Sequence, residues 1–190
     1  MAAFSGRGSK GNGSAMRSAP LGAWFADSLA KVVTESWQSS IVTHAHAEGI
    51  AGSVAVSLAA AMAWNTRMLP PENARKAIWQ KVLELTPAGE THEGLRKASL
   101  VPLEMSGENA ARILGSGFLV TAPDTVPFAI WCALRHLDNY SEALITTLEG
   151  DGDCDTNCAI VGGILVLRVG REGIPPLWLK SREPHDLEFK

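Results

Sequence analysis

Apolar residues recur at three- and four-residue steps along most of this chain, the period of an α-helix. From Leu21 the positions Trp24, Ala26, Leu29, Val32, Val33 and Trp37 keep this step, with Pro20 near a first turn, and predict one helix over 21–38. The run 47–65 predicts a second helix of different character. Its Ile50, Val54, Val56, Leu58 and Met62 stand among many Ala, Gly and Ser, and small residues permit close approach of neighbours, which places this helix at the centre. Pro70 and Pro71 end that run, and Ala74, Ile78, Val82 and Leu83 predict a helix over 72–85 that Pro87 stops. Further helices are predicted over 90–99, from a Ser106 cap to Gly115, from an Asp124 or Thr125 cap through Pro127 to Leu137, and over 141–148 and 156–169. Gly115-Ser116-Gly117 reads as a turn, and 118–121 is the one strand candidate, too short to found a sheet. The pattern predicts an all-α fold in a single domain over 1–190, with neither internal repeat nor interdomain linker.

Composition narrows the function classes. A chain of 190 residues that is 46% hydrophobic can bury a sizeable core. Its net charge of -3, with no Lys/Arg stripe, excludes the electrostatic footprint of a nucleic-acid binder or of a protein held on an anionic membrane. No signal-peptide pattern opens the sequence and the unbroken apolar runs are too short to span a bilayer, so no membrane partner and a cytoplasmic location are expected. Cys132, Cys154 and Cys158 are odd in number and lack C-x-x-C spacing, which predicts reduced, buried thiols. Residues 1–14 form a glycine-rich loop poor in apolar groups, and 181–190 a charged, polar tail.

Candidate chemistry concentrates in GDGDCDTNC, residues 150–158, where Asp151, Asp153 and Asp155 stand beside Thr156 at the start of an apolar helical run. One carboxylate there is ordinary capping. Three repel one another unless a cation neutralises them, and hard oxygen donors favour Mg²⁺, Mn²⁺ or Ca²⁺. An EF-hand is excluded, because Thr156 holds the place of the loop glycine and Gly162 that of the bidentate glutamate; an ordinary capping loop is the alternative. Gly6 to Gly11 matches G-x-G-x-x-G without the preceding strand a dinucleotide fold requires, and the phosphate-loop order is absent. What remains is a backbone nest for an anion, against the alternative of a flexible tail. His44 and His46 form an H-x-H pair leading into a helix, where substrate contact or capping is as good a reading as metal ligation.

Three separated segments, FSGRGSKGNGSAMRSAPLG from Phe4, THAHAEGIAGSVAVSLAAA from Thr43 and GDCDTNCAIVGGIL from Gly152, together resemble the ADP-ribosylglycohydrolase family in order and spacing. The intervening LGSGFLVTAPDTVPFAIWCALRHLDNY is similar to it as well. The resemblance implies a compact orthogonal multi-helix all-α domain that cleaves an ADP-ribosyl bond at the anomeric carbon, with two Mg²⁺ ions and ADP-ribose or an ADP-ribosylated substrate as partner. It implies that Asp153, Asp155 and Thr156 ligate metal, that Gly13, Ser14, Met16, Arg17 and Phe4 contact ADP-ribose, and that His44 faces the ribose. Gly115, Ser116 and Gly117 would line the other side. Family members also carry an acidic residue and a T-D-D-T-like motif upstream of the glycine loop, whereas this sequence begins just short of that loop and has no adjacent Asp-Asp pair. The expectation is an N-terminally truncated domain with one ligand cluster, its catalytic carboxylate in the missing segment, inactive alone, and prone to self-association or to pairing with a separate N-terminal chain. A non-catalytic ADP-ribose-binding or crystallin-like structural remnant is the alternative, and a helical metal-dependent hydrolase of another phosphorylated or glycosylated substrate is the third reading. The acceptor linkage stays open.

Overall fold

Ala47–Asn65, a helix of 19 residues, is buried at every position from Ala51 to Ala63. In the computed structural model, which describes residues 7–183, the chain runs α1 (Gly13–Met16), α2 (Ala19–Trp24), α3 (Leu29–Ile41), α4 (Ala47–Asn65), α5 (Pro71–Leu85) and α6 (Glu90–Ala98). It continues through α7 (Gly107–Leu114), α8 (Ala122–Arg135), α9 (Tyr140–Glu149), α10 (Cys154–Val169), a 3₁₀ turn (Arg171–Gly173) and α11 (Pro176–Ser181). The described residues contain no sheet, so the fold is all-α as the periodicity predicts; the 118–121 candidate reduces to a single β-bridge between Gly11 and Thr121.

Small residues explain the central place of α4, which packs against α1, α2, α3, α5, α8 and α10. A Cβ at Gly52 would stand 2.7 Å from that of Ala122, and one at Gly22 would collide with the Ser57 carbonyl, so α8 and α2 approach at distances a larger side chain would forbid. The polar positions of α4 are satisfied outward: Ser57 Oγ donates to the Ser18 carbonyl at 2.9 Å, and Asn65 Nδ2 to that of Ala26 at 2.8 Å. By length and composition α4 is the one helix among the described residues apolar enough to cross a membrane, although Glu, Gly and Ser interrupt its apolar runs. Its neighbours cover it here. Phe128, Trp131 and Leu134 of α8 and Ile160, Ile164 and Leu165 of α10 join it in one continuous core.

Two predicted boundaries move, each for a local reason. The helix expected over 21–38 splits into α2 and α3, because Ser28 takes extended backbone and its hydroxyl accepts from the Lys31 N–H, a cap that restarts the helix. Neither Asp124 nor Thr125 caps α8, which begins at Ala122 after Thr121 with Pro123 in its first turn. The Asp124 carboxylate instead accepts from the Leu119 N–H at 2.8 Å, and Pro127 lies inside the helix. The thiols are free, and only Cys132 is fully buried; Cys154 and Cys158 are half-buried at the outset of α10. Residues 184–190, most of the expected polar tail, lie outside the described residues.

The buried Glu48 in the first turn of α4 holds the start of α6. Its carboxylate accepts from the backbone N–H groups of Glu90 at 2.9 Å and Thr91 at 2.7 Å and from the Thr91 hydroxyl at 2.7 Å. Burial opposes ionisation, but the Thr91 and Glu90 hydrogen bonds and nearby His46 outweigh it, so the carboxyl titrates below its ordinary value. A depressed native pKa means stability that is fully present above the ordinary glutamate value of about 4.3 and lost as pH falls through the native value. Glu48→Ala is expected to lower the unfolding free energy at pH 7 by about 2–3 kcal/mol in urea denaturation. The gap from the parent protein should close toward pH 3, and a gap that stays constant with pH would show that the charge does not hold α6.

Candidate functional site

The acidic loop turns sharply before it enters α10. Asp151 adopts left-handed backbone at φ 55° and Gly152 follows at 77°, after which Asp153 stands at the N-cap of the helix. The Asp153 N–H donates to the Ser116 carbonyl at 3.0 Å, and the buried Asn157 Nδ2 donates to the same oxygen at 2.6 Å. The 115–117 turn is therefore clamped onto the start of α10. Gly117 sits at φ +92° with its α-carbon facing Asp153, so that a Cβ there would stand 2.6 Å from that of the aspartate; only glycine meets both demands.

A single side chain ties this loop to the glycine-rich segment. Asn12, which is 3% exposed, donates from Nδ2 to Asp153 Oδ2 at 2.7 Å and to Thr125 Oγ1 at 2.9 Å. Its backbone N–H reaches the Val120 carbonyl, and the Lys10 carbonyl accepts from the Ala122 N–H at 3.0 Å. Residues 7–12 are thus ordered by their neighbours, as a segment so poor in apolar groups requires. Farther along, Ser14 Oγ donates to the Gly49 carbonyl at 2.9 Å, and the Thr156 hydroxyl has Met16 Sδ, a weak acceptor, at 3.4 Å.

The two histidines separate. His44 lays its ring against the glycine loop, with Nε2 3.3 Å from where a Cβ would stand on Gly11 and 3.2 Å from one on Gly13. Its Nδ1 lies 2.8 Å from the Thr43 hydroxyl, and partial burial and the Arg17 charge hold its pKa below the ordinary value. His46 caps α4, Nδ1 accepting from the Glu48 N–H at 3.1 Å. It also lines a cavity of about 580 Å³ with Arg7, Ser9, Lys10, Gly11 and Thr121. A second cavity of about 410 Å³, across the 115–117 turn, is lined by Glu108, Arg112, Phe118, Asp124, Glu149 and Asp151.

The structure brings Gly13, Met16, His44, Gly115 to Gly117, Asp153 and Thr156 into one region. Ser14 anchors the loop to α4, and Arg17 turns to the α3–α4 connection, donating to the Ser39 carbonyl and the Thr43 hydroxyl. Phe4 lies outside the described residues. The adjoining Asp153 side chain and the Thr156 N–H hold the Asp155 carboxyl below the usual range. Asp151 does not complete a triad with them: no three His, Cys, Asp or Glu side chains converge among the described residues. Two neighbouring carboxylates and a hydroxyl with only a thioether partner still form a hard oxygen set, chemically suited to a divalent cation. Sequence reasoning missed Asn12, Thr125 and Asn157; the Asn inside G-N-G and the Asn following the acidic run were the available signals.

Asn12→Ala is expected to cost about 2–3 kcal/mol of unfolding free energy, because it removes two buried hydrogen bonds, one of them to a carboxylate. Urea denaturation at pH 7 measures it. A loss under about 0.5 kcal/mol, the range of an ordinary surface substitution, would show that the bridge does not hold the loops together.

The model of the ADP-ribosylglycohydrolase family matches residues 1–188. ADP-ribosylhydrolase ARH3 of Mus musculus is 28% identical over 207 residues, covering 96% of this chain and 55% of that protein. ADP-ribosylhydrolase ARH3 of Homo sapiens is 26% identical over 215 residues, with 97% and 57% covered. An uncharacterized protein of Archaeoglobus fulgidus is 32% identical over 181 residues, with 93% and 54% covered. The chain spans about half the length of the curated relatives it matches.

Proposed function

This chain belongs to the ADP-ribosylglycohydrolase family, and from that membership and the geometry of its loops we propose that it binds ADP-ribose as part of an ADP-ribosyl-bond hydrolase. The observation that carries the reading is the Asn12 amide, which joins the glycine loop to Asp153 and so sets that loop beside an oxygen-rich pole. Arg7 and Lys10 supply positive charge in the adjoining cavity, whose volume of about 580 Å³ suits a small molecule and whose cations suit a diphosphate. His44 turns Nε2 to the loop glycines, where a ribose hydroxyl or phosphate oxygen would be its acceptor.

Asp153, Asp155 and Thr156 are the residues that would hold Mg²⁺. Bound there, the ion would supply Lewis-acid polarisation of ribose hydroxyls and water beside the anomeric carbon. This chain's own groups do the rest of the positioning: Asn12 holds one oxygen of Asp153, the Ser116 carbonyl fixes the first turn of α10, and Gly117 leaves the aspartate room. Glycoside hydrolysis further requires a carboxyl group to move a proton at the leaving oxygen or the attacking water. Among the described residues no third carboxylate joins Asp153 and Asp155, so our reading is that this chain by itself binds without turnover. The same observation favours the second reading, a non-catalytic ADP-ribose-binding member.

Calorimetric titration of the purified chain with ADP-ribose is expected to give saturable heat in Mg²⁺ that EDTA abolishes and that Asp153→Ala with Asp155→Ala removes while the fold persists. A folded sample that binds no ADP-ribose in Mg²⁺ would sink the reading. Incubation with an ADP-ribosylated peptide is expected to release no ADP-ribose; Mg²⁺-dependent release would establish a complete catalytic site and discard the non-catalytic alternative.

A further inference from the structure

Arg17, the last residue of the GNGSAMR segment, points away from the glycine loop's cavity. Its guanidinium donates to the Ser39 carbonyl at 3.2 Å and to the Thr43 hydroxyl at 2.8 Å. That hydroxyl lies 2.8 Å from His44 Nδ1 on its other side. The ring it meets is the one whose Nε2 edge faces Gly11 and Gly13. We propose that Arg17 and Thr43 are positioning residues that act through this relay to fix the tautomer of His44, so that the neutral ring presents an Nε2–H donor to the oxygen of a ligand on the glycine loop. The proposal rests on the ADP-ribose reading for the identity of that ligand, and on the hydrogen-bond chain for the tautomer.

The direction of the chain follows from what each group can do. A guanidinium only donates, so the Thr43 oxygen accepts from Arg17 and its own proton is free to point to the remaining partner. Nδ1 is then an acceptor, and a neutral imidazole that accepts at Nδ1 carries its proton at Nε2. The reverse arrangement would make Oγ1 accept twice, beside a cation, while its hydroxyl proton turned to solvent. The Arg17 charge also disfavours a doubly protonated ring, which would have to place a second proton at the nitrogen facing Thr43. The Ser39 carbonyl holds the guanidinium on α3 and keeps it from swinging into the loop.

Long-range ¹H–¹⁵N spectra of the labelled chain read the tautomer directly, independently of activity. At pH 8 the His44 Nδ1 resonance is expected at the shift of an unprotonated ring nitrogen and Nε2 at that of a protonated one. Thr43→Val and Arg17→Met should each move both resonances toward the averaged values of a mixture, and Thr43→Ser, which keeps the hydroxyl, should restore the parent pattern. ADP-ribose affinity measured on the same samples should fall about tenfold in Thr43→Val, the equivalent of one lost hydrogen bond, and recover in Thr43→Ser. A parent protein protonated at Nδ1, or a pattern unchanged in Thr43→Val, would overturn the relay. The expected spectra without any ADP-ribose binding would uphold the relay and remove the ligand reading alone.

Discussion

Burial of α4 on nearly all sides is the constraint from which the site derives its rigidity. A helix can be surrounded in this way only if its side chains are small, and the Ala, Gly and Ser positions of α4 let α1, α2, α3, α5, α8 and α10 close on it. The candidate site lies at its N-terminal end. His46 caps that end, Glu48 in its first turn pins α6, and the Gly49 carbonyl receives the Ser14 hydroxyl of the glycine loop. Movement of α4 relative to its neighbours would therefore shift the histidine segment and the loop together, and a packed core resists such movement because every displacement opens voids or overlaps atoms.

The loops themselves lack the apolar mass to hold a shape, so polar contacts between them set it. Asn12 matters because one buried amide group addresses two elements distant in sequence, Thr125 in α8 and Asp153 at α10. A neutral amide suits the place better than a cation would. It satisfies one carboxylate oxygen without neutralising the negative charge of Asp153. The same economy governs the Ser116 carbonyl, which receives both the Asp153 N–H and the Asn157 amide and so locks the 115–117 turn to the helix start.

The helices were legible where one local rule decided them. α4 to α7 follow from periodicity, Pro70 and Pro71, and the Ser106 cap, and their ends fall within a residue or two of expectation. The break before α3 was hidden because Ser28 competes with an apolar step that continues across it, and caps are not visible in a period. The start of α8 was hidden because Asp124 answers the Leu119 N–H instead of its own helix. At the site, the segments were legible and their connections were not. Asn12 meets partners 113 and 141 residues away, and no spacing rule reaches that far. Alternating aspartates suggested three converging carboxylates, whereas the left-handed backbone at Asp151 directs that residue to the neighbouring cavity and leaves a pair.

Net charge illustrates the limit of composition more sharply. A formal charge of -3 removes the extended basic surface a nucleic acid requires, since that binding sums over many phosphates along a stripe. It says nothing about a ligand with two phosphates. Charges more than about 8 Å apart are screened from one another at physiological ionic strength, so such a ligand responds to the groups lining its own cavity. Arg7 and Lys10 line one cavity, while Glu108, Asp124, Glu149 and Asp151 gather in another beyond the 115–117 turn. The mean of these two environments is mildly acidic, and neither of them is. The fold separates the charges that the composition averages, and that separation leaves an acidic chain with a locally basic cavity.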